Sequence, residues 1–167
     1  MSEIAQTARV SIVLADYARP DGAGKLSILG AGWQVTALET ATGQTAAFTL
    51  IVTVDVHPKH YGQEYALEIA LLNDQSGELV EAPGPGGVPG PVRISQITPA
   101  EATVVAGQFV PARRLWSRSQ STINFAAGIP LVAGLTYRWQ VRIDGDEDRV
   151  WETTFHVAGP APDPVIG

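Results

Sequence analysis

The 167 residues include no cysteine. That excludes a disulfide framework, a thiolate metal site and a cysteine nucleophile, so stability has to come from packing. Charge is scarce as well: Asp, Glu, Lys and Arg make up 17% of the chain, too few for long charged helix faces. What charge there is sums to -6, which argues against general affinity for nucleic acid or an anionic membrane surface, both of which select basic proteins. The longest apolar run, Phe125 to Leu135, is interrupted by Gly128, Pro130 and Gly134. It is about half the length of a membrane span, so no transmembrane segment is expected. The opening residues Met-Ser-Glu-Ile-Ala-Gln-Thr have neither the positive start nor the apolar stretch of a secretory signal, and no classical export is expected.

What the chain does have is hydrophobic residues at 45%, with 17 Gly and 12 Pro, a mix suited to short strands and punctuated turns. The clearest pattern is Leu135 to Ile143. Leu135, Tyr137, Trp139, Val141 and Ile143 alternate with Thr136, Arg138, Gln140 and Arg142, the period of two of a half-buried strand. After Asp144-Gly-Asp-Glu-Asp148 the alternation resumes with Trp151, Thr153, Phe155 and Val157, which predicts a β-hairpin. Further strands are expected at 8–17, 25–29, 48–54, 65–71, 92–97 and 121–127, with Gly30-Ala-Gly32 as a bulge or bend before Trp33. The join His57 to Gly62 is too short for a crossover helix, so an antiparallel or sheet-switching connection is expected there. Residues 71–79 read as another hairpin turn, and 99–120 carry no readable period.

No convincing amphipathic helix is present. The fold class predicted is all-β: a two-sheet antiparallel sandwich of the immunoglobulin or fibronectin type with eight or nine strands, a closed barrel being the alternative. Residues 1–7 read as an N-terminal arm and 8–157 as one domain. Within it, the uncharged Gly/Pro segment 82–91 is expected to be an irregular surface loop with neither strand nor helix. Residues 158–167, with three prolines, read as an extended or disordered tail.

A search for chemistry finds near misses. Gly22-Ala-Gly24-Lys25 fails as a phosphate loop, because Arg19 stands where the first glycine belongs and Leu26 where the metal-binding hydroxyl belongs. The glycines at 84–87 run into Pro89, with no helix to hold a pyrophosphate. Asp144, Asp146 and Asp148 are spaced like the start of a calcium loop, but Arg149 and Phe155 occupy the positions of its glycine and closing glutamate. A solvated hairpin turn is the simpler account. His57, His60 and His156 are too few and too scattered for a metal centre, and no Gly-x-Ser-x-Gly is present. No enzyme activity, no metal and no cofactor are expected. One local reversal of charge stands out: Arg113, Arg114 and Arg118 flank Trp116 in an otherwise acidic chain. Arg and Trp are enriched at binding hot spots, so a protein contact is weighed evenly against a plain surface strand, with nucleic acid well behind.

Leu14-Ala-Asp16-Tyr17-Ala18 followed by Gly24-Lys-Leu-Ser-Ile-Leu-Gly-Ala-Gly-Trp33 resembles the opening of a family of small β-sandwich proteins of unknown function from actinobacteria and their phages. The resemblance implies a sandwich and no catalytic residues. The Asp16-Tyr17 pair reads as a structural corner, and a recognition role for it would require exposure. The function expected is a non-enzymatic structural or interaction protein, foremost a phage virion component such as a capsid decoration or minor capsid protein. It would be oligomeric or part of a larger assembly, attached to capsid subunits or to itself through loops and tail. The contact candidates are Arg113, Arg114, Trp116, Arg118, Pro160, Pro162 and Pro164. The alternative is a bacterial cytoplasmic module that binds a small ligand or a protein at one end of its sheets; a hydrolase would require His57, His60 and Asp side chains to converge.

Overall fold

β4 (Phe48–Val56) has a neighbour on each edge, and its composition shows why. Leu50, Val52, Val54 and Val56 are buried on one face, and Thr49 and Ile51 are buried on the other, so the strand is apolar enough to sit inside a sheet. β1 (Arg9–Pro20) pairs with it on one edge and β9 (Ser117–Phe125) on the other, both antiparallel. β2 (Leu26–Ala31) joins the far end of β1, giving the order β2-β1-β4-β9. The computed structural model describes residues 1–22, 24–84, 87–111 and 113–159.

A second sheet runs β3 (Val35–Thr36), β11 (Trp151–Val157), β10 (Thr136–Ile143), β5 (Glu64–Asn73), β8 (Arg93–Pro99). All its pairings are antiparallel except β3 with β11. The hairpin β10–β11 follows its alternation: Tyr137 pairs with Phe155, and Tyr137, Trp139, Val141 and Ile143 are buried. Between β4 and β5, Pro58–His60 form a 3-10 turn that carries the chain from the first sheet to the second, so the short join does switch sheets.

The two sheets face one another across a single core. Leu14, Leu50 and Val52 from one sheet cluster with Leu67, Ile69 and Trp139 from the other. Each such aliphatic side chain contributes about 1.5–3 kcal/mol on full burial. Phe125 of β9 lies 5.5 Å from Trp139, and the Tyr65 and Ser119 hydroxyls bridge the sheets at 2.8 Å. The protein is therefore all-β, with eleven strands in three sheets among the described residues. No helix among them is long and apolar enough to cross a membrane.

Several expectations are refined or corrected. The strand number exceeds eight or nine because β3, β6 (Glu81–Pro83) and β7 (Pro89–Pro91) are two or three residues long, too short to imprint a period. Segment 82–91 is thus not free of strand: β6 and β7 form a two-stranded ribbon. Its prolines fit because hydrogen bonds Gly84 N–H to Val88 and Val92 N–H to Val80 fix the ladder phase. Pro83, Pro89 and Pro91 then fall at the alternate positions, where no N–H is needed, and Ala82 and Gly90 take the bonded ones. The N-terminal arm, residues 1–7, packs on the core. Ser2 caps a short helix α1 (Glu3–Thr7), its hydroxyl accepting the Ala5 N–H, and Ile4 and Ala5 are buried against the core. Finally, Asp16-Tyr17 makes no corner, since Tyr17 is 46% exposed and pairs across the strand with Leu29. Of the bulge or bend expected at Gly30-Ala-Gly32, the structure has the bend: β1 and β2 keep one register from Ala15↔Ala31 to Pro20↔Leu26, and β2 ends between glycines at left-handed φ of 61° and 87°.

Candidate protein-contact face

Strand register, invisible in the sequence, assembles this face. Asp55 near the end of β4 lies opposite Arg9 on β1 and opposite Arg118 on β9, so one aspartate is flanked in the sheet by two arginines. Arg118 closes on it as a fork, Nε to Oδ1 at 2.7 Å and a terminal nitrogen to Oδ2 at 2.9 Å. That hydrogen bond, then the charge of Asp55, raises the Arg118 pKa above its ordinary value. Arg9 turns elsewhere: its guanidinium lies over the Trp116 ring, 4.1 Å from the centroid.

Trp116 is half-buried and is held from a second side by the edge of His57, 5.2 Å between ring centres. The chain entering β9 is strapped down beside it, where the Tyr61 hydroxyl donates to the Leu115 carbonyl and Ser117 is buried. A shallow cavity of about 360 Å3 results, lined by Arg9, Asp55, Thr103, Arg114, Trp116 and Arg118. Arg114 is exposed and has no ion pair among the described residues. The loop leading in adds apolar groups in water: Phe109 is 91% exposed and Val104 86%.

Of the contact candidates, Arg114, Trp116 and Arg118 come together here. Arg113 is exposed at a left-handed φ of 63° and does not line the cavity. Pro160, Pro162 and Pro164 lie outside the described residues. Arg9, Asp55 and Phe109 were missed. The first two belong to strands far apart in sequence, and only the pairing of β1, β4 and β9 makes them neighbours. Phe109 sits in the stretch without period; its signal was an aromatic in a long segment that lacks strand or helix pattern.

The other chemistry-bearing groups have structural roles. The His57 ring nitrogen accepts the Lys59 N–H, whereas His60 is buried between the Thr7 hydroxyl at 3.3 Å and Gln63 at 3.1 Å, so the two do not converge. Asp144 accepts from the Ala66 amide and the Ser2 hydroxyl. Asp146 accepts from the amides of Ser2, Asp148 and Arg149, and these bonds, Ser2 first, hold its pKa below the usual carboxylate value although burial works against them. The Asp-Gly-Asp-Glu-Asp turn thus uses two carboxylates to tether the amino terminus. Among the described residues no three His, Asp or Glu side chains are grouped to hold a metal ion.

A second cavity, about 640 Å3, opens between the β6–β7 ribbon and the turn after β9. Pro83, Val88, Ile94, Phe125, Ile129 and Pro130 make it predominantly apolar.

The chain belongs to a family of unknown function (DUF6941). The family match spans residues 10–158, which takes in both facing sheets, the β6–β7 ribbon and the loop from β8 to β9; Arg9 falls one residue before it. No curated protein matches the chain.

Proposed function

We propose that this chain is a non-enzymatic interaction protein, an immunoglobulin-like two-sheet sandwich that docks on an acidic protein surface through the face around Trp116. Its main support is the fixed stack of Arg9 on Trp116 beside an Arg118–Asp55 fork, with Arg114 in no ion pair among the described residues and Phe109 exposed in the loop that leads into β9. Aromatic and arginine anchors of this kind carry most of the binding energy at protein interfaces, with charge steering the approach. Held rigid before contact, Trp116 and Arg118 lose little entropy on docking. A component of a phage virion, decorating or joining the shell, is the biological setting we favour, because such a protein needs adhesive surfaces and no reactive centre.

Two measurements test this. Poly-glutamate should change the tryptophan emission with a strength that falls as salt rises, while poly-lysine should not, and Arg114→Glu should abolish the change. The wild-type chain should also co-sediment with particles purified from producing cells, and the Phe109→Asp, Arg114→Glu double variant should stay in the supernatant. Equal response to both polymers would refute the acidic partner; absence of the wild-type chain from particles would refute the virion setting.

The apolar cavity favours a second reading, a bacterial module that binds a small apolar ligand, since 640 Å3 lies in the range of small-molecule sites. An apolar fluorescent dye would then brighten on binding, and Ile129→Arg would prevent it.

A further inference from the structure

Past Ala15, β1 leaves β4 and continues with β2 alone. Among the described residues from 16 to 31 none is buried. Apolar side chains are nevertheless present on both faces: Tyr17 lies across from Leu29, 66% exposed, on one side, and Ala18 lies across from Ile28, 40% exposed, on the other. A two-stranded ribbon alone in water is marginal; it becomes stable when a third strand or a covering surface is added.

The β2 edge of this ribbon differs from the other edges; the β1 side past Ala15 carries Asp16, Arg19 and Pro20. β8 carries Arg93 and ends in Pro99, β9 carries Arg118, β3 has two residues, and the β6–β7 ribbon is studded with prolines. Charge, proline and shortness are the usual devices that stop an edge from recruiting another strand. β2 reads Leu-Ser-Ile-Leu-Gly-Ala and has neither charge nor proline.

We propose that β2 is a docking edge for a second copy of this chain, the two hairpins joining about a two-fold axis into one four-stranded sheet ordered β1-β2-β2-β1. Charge selects both occupant and direction. A chain of net charge -6 repels its own copies except where a patch is neutral, and Asp16, Arg19, Asp21 and Lys25 make the hairpin neutral. Lys25 precedes one end of β2, and Asp16 marks the other, its carboxylate lying over Gly30, whose φ of 61° and missing Cβ leave room for it. Antiparallel pairing of two β2 strands brings Lys25 of each copy to the end of the joint that Asp16 of the other marks, so one symmetry operation sets opposite charges near one another at both ends. Parallel pairing would set Lys25 on Lys25. The main-chain bonds supply adhesion and the exposed Tyr17, Ile28 and Leu29 supply cover, as in strand addition generally. This contact lies at the opposite end of β1 from Arg9, so it goes beyond the acidic-partner face and uses none of its residues.

Light scattering coupled to size exclusion is the test. The wild-type protein should have the mass of two chains at high concentration and move toward one on dilution. Leu29→Lys should have the mass of one chain with an unchanged far-ultraviolet spectrum, since nothing it replaces is buried. Lys25→Asp should weaken association about tenfold, and Lys25→Asp combined with Asp16→Lys should restore it. Arg114→Glu should leave the dimer intact, which separates a failure here from a failure of the docking face. A single-chain mass for the wild type at every concentration, a Leu29→Lys dimer, or no rescue by the double reversal would each overturn the proposal.

Discussion

Replacing Gly128 with Ala should be among the more damaging single changes in this protein, and Gly43 provides a matched control. Both sit at left-handed φ, 69° and 67°, so an alanine Cβ meets the same backbone penalty, about 1–2 kcal/mol, at either. Their surroundings differ. A Cβ on Gly43 would meet nothing within 4 Å, whereas one on Gly128 would overlap the carbonyl and hydroxyl of Thr45. Thr45 is buried and joined to Ile129 by two hydrogen bonds of 3.0 Å, its amide to the Ile129 carbonyl and the Ile129 amide to its hydroxyl. Forcing the turn away weakens both, at about 0.5–1.5 kcal/mol each, with no water to replace them. Gly128→Ala should therefore cost about 2–5 kcal/mol against 1–2 for Gly43→Ala. Urea unfolding followed by tryptophan emission, with an unchanged slope, measures the difference. Costs within about 0.5 kcal/mol of one another would show that close approach to Thr45 is not what requires glycine.

The tether of the amino terminus should be sensitive to acid. Because Asp146 has a lowered pKa in the folded chain, its contribution is complete above the ordinary aspartate value and is lost as pH falls through the lowered one. Amide exchange at Ala5 should quicken in that range before the core opens, and Asp146→Asn should remove the pH dependence; an unaltered profile in the variant would assign the loosening elsewhere. At the contact face, a double-mutant cycle on Arg118 and Asp55 should give a coupling of about 1 kcal/mol or less that shrinks with salt, since the Arg118 side chain is 61% exposed. Arg9→Ala should cost only about 0.5–1 kcal/mol yet shift the emission of Trp116; an unshifted spectrum would mean the ring does not hold the guanidinium in solution.

Much of the architecture was legible without coordinates. Trp139, Tyr137 and Val141 face the core because their strand alternates, and the join from His57 to Gly62 is too short for a crossover helix. Period-two patterning acts within one segment, so the residues that carry it stand next to one another in the chain. The all-β class follows from such local signals. Tertiary structure alone decided the rest, because it depends on register between distant segments. Asp55 is 46 residues from Arg9 and 63 from Arg118, yet pairing sets all three in one row. The fate of Asp16-Tyr17 was decided the same way: the segment reads as strand to Tyr17, but the pairing with β4 ends at Ala15 and only β2 accompanies β1 beyond it, so the end of the strand becomes a projecting edge. A strand's propensity is written in its own side chains, whereas its neighbours, and hence its exposure, are set by where other strands begin and end.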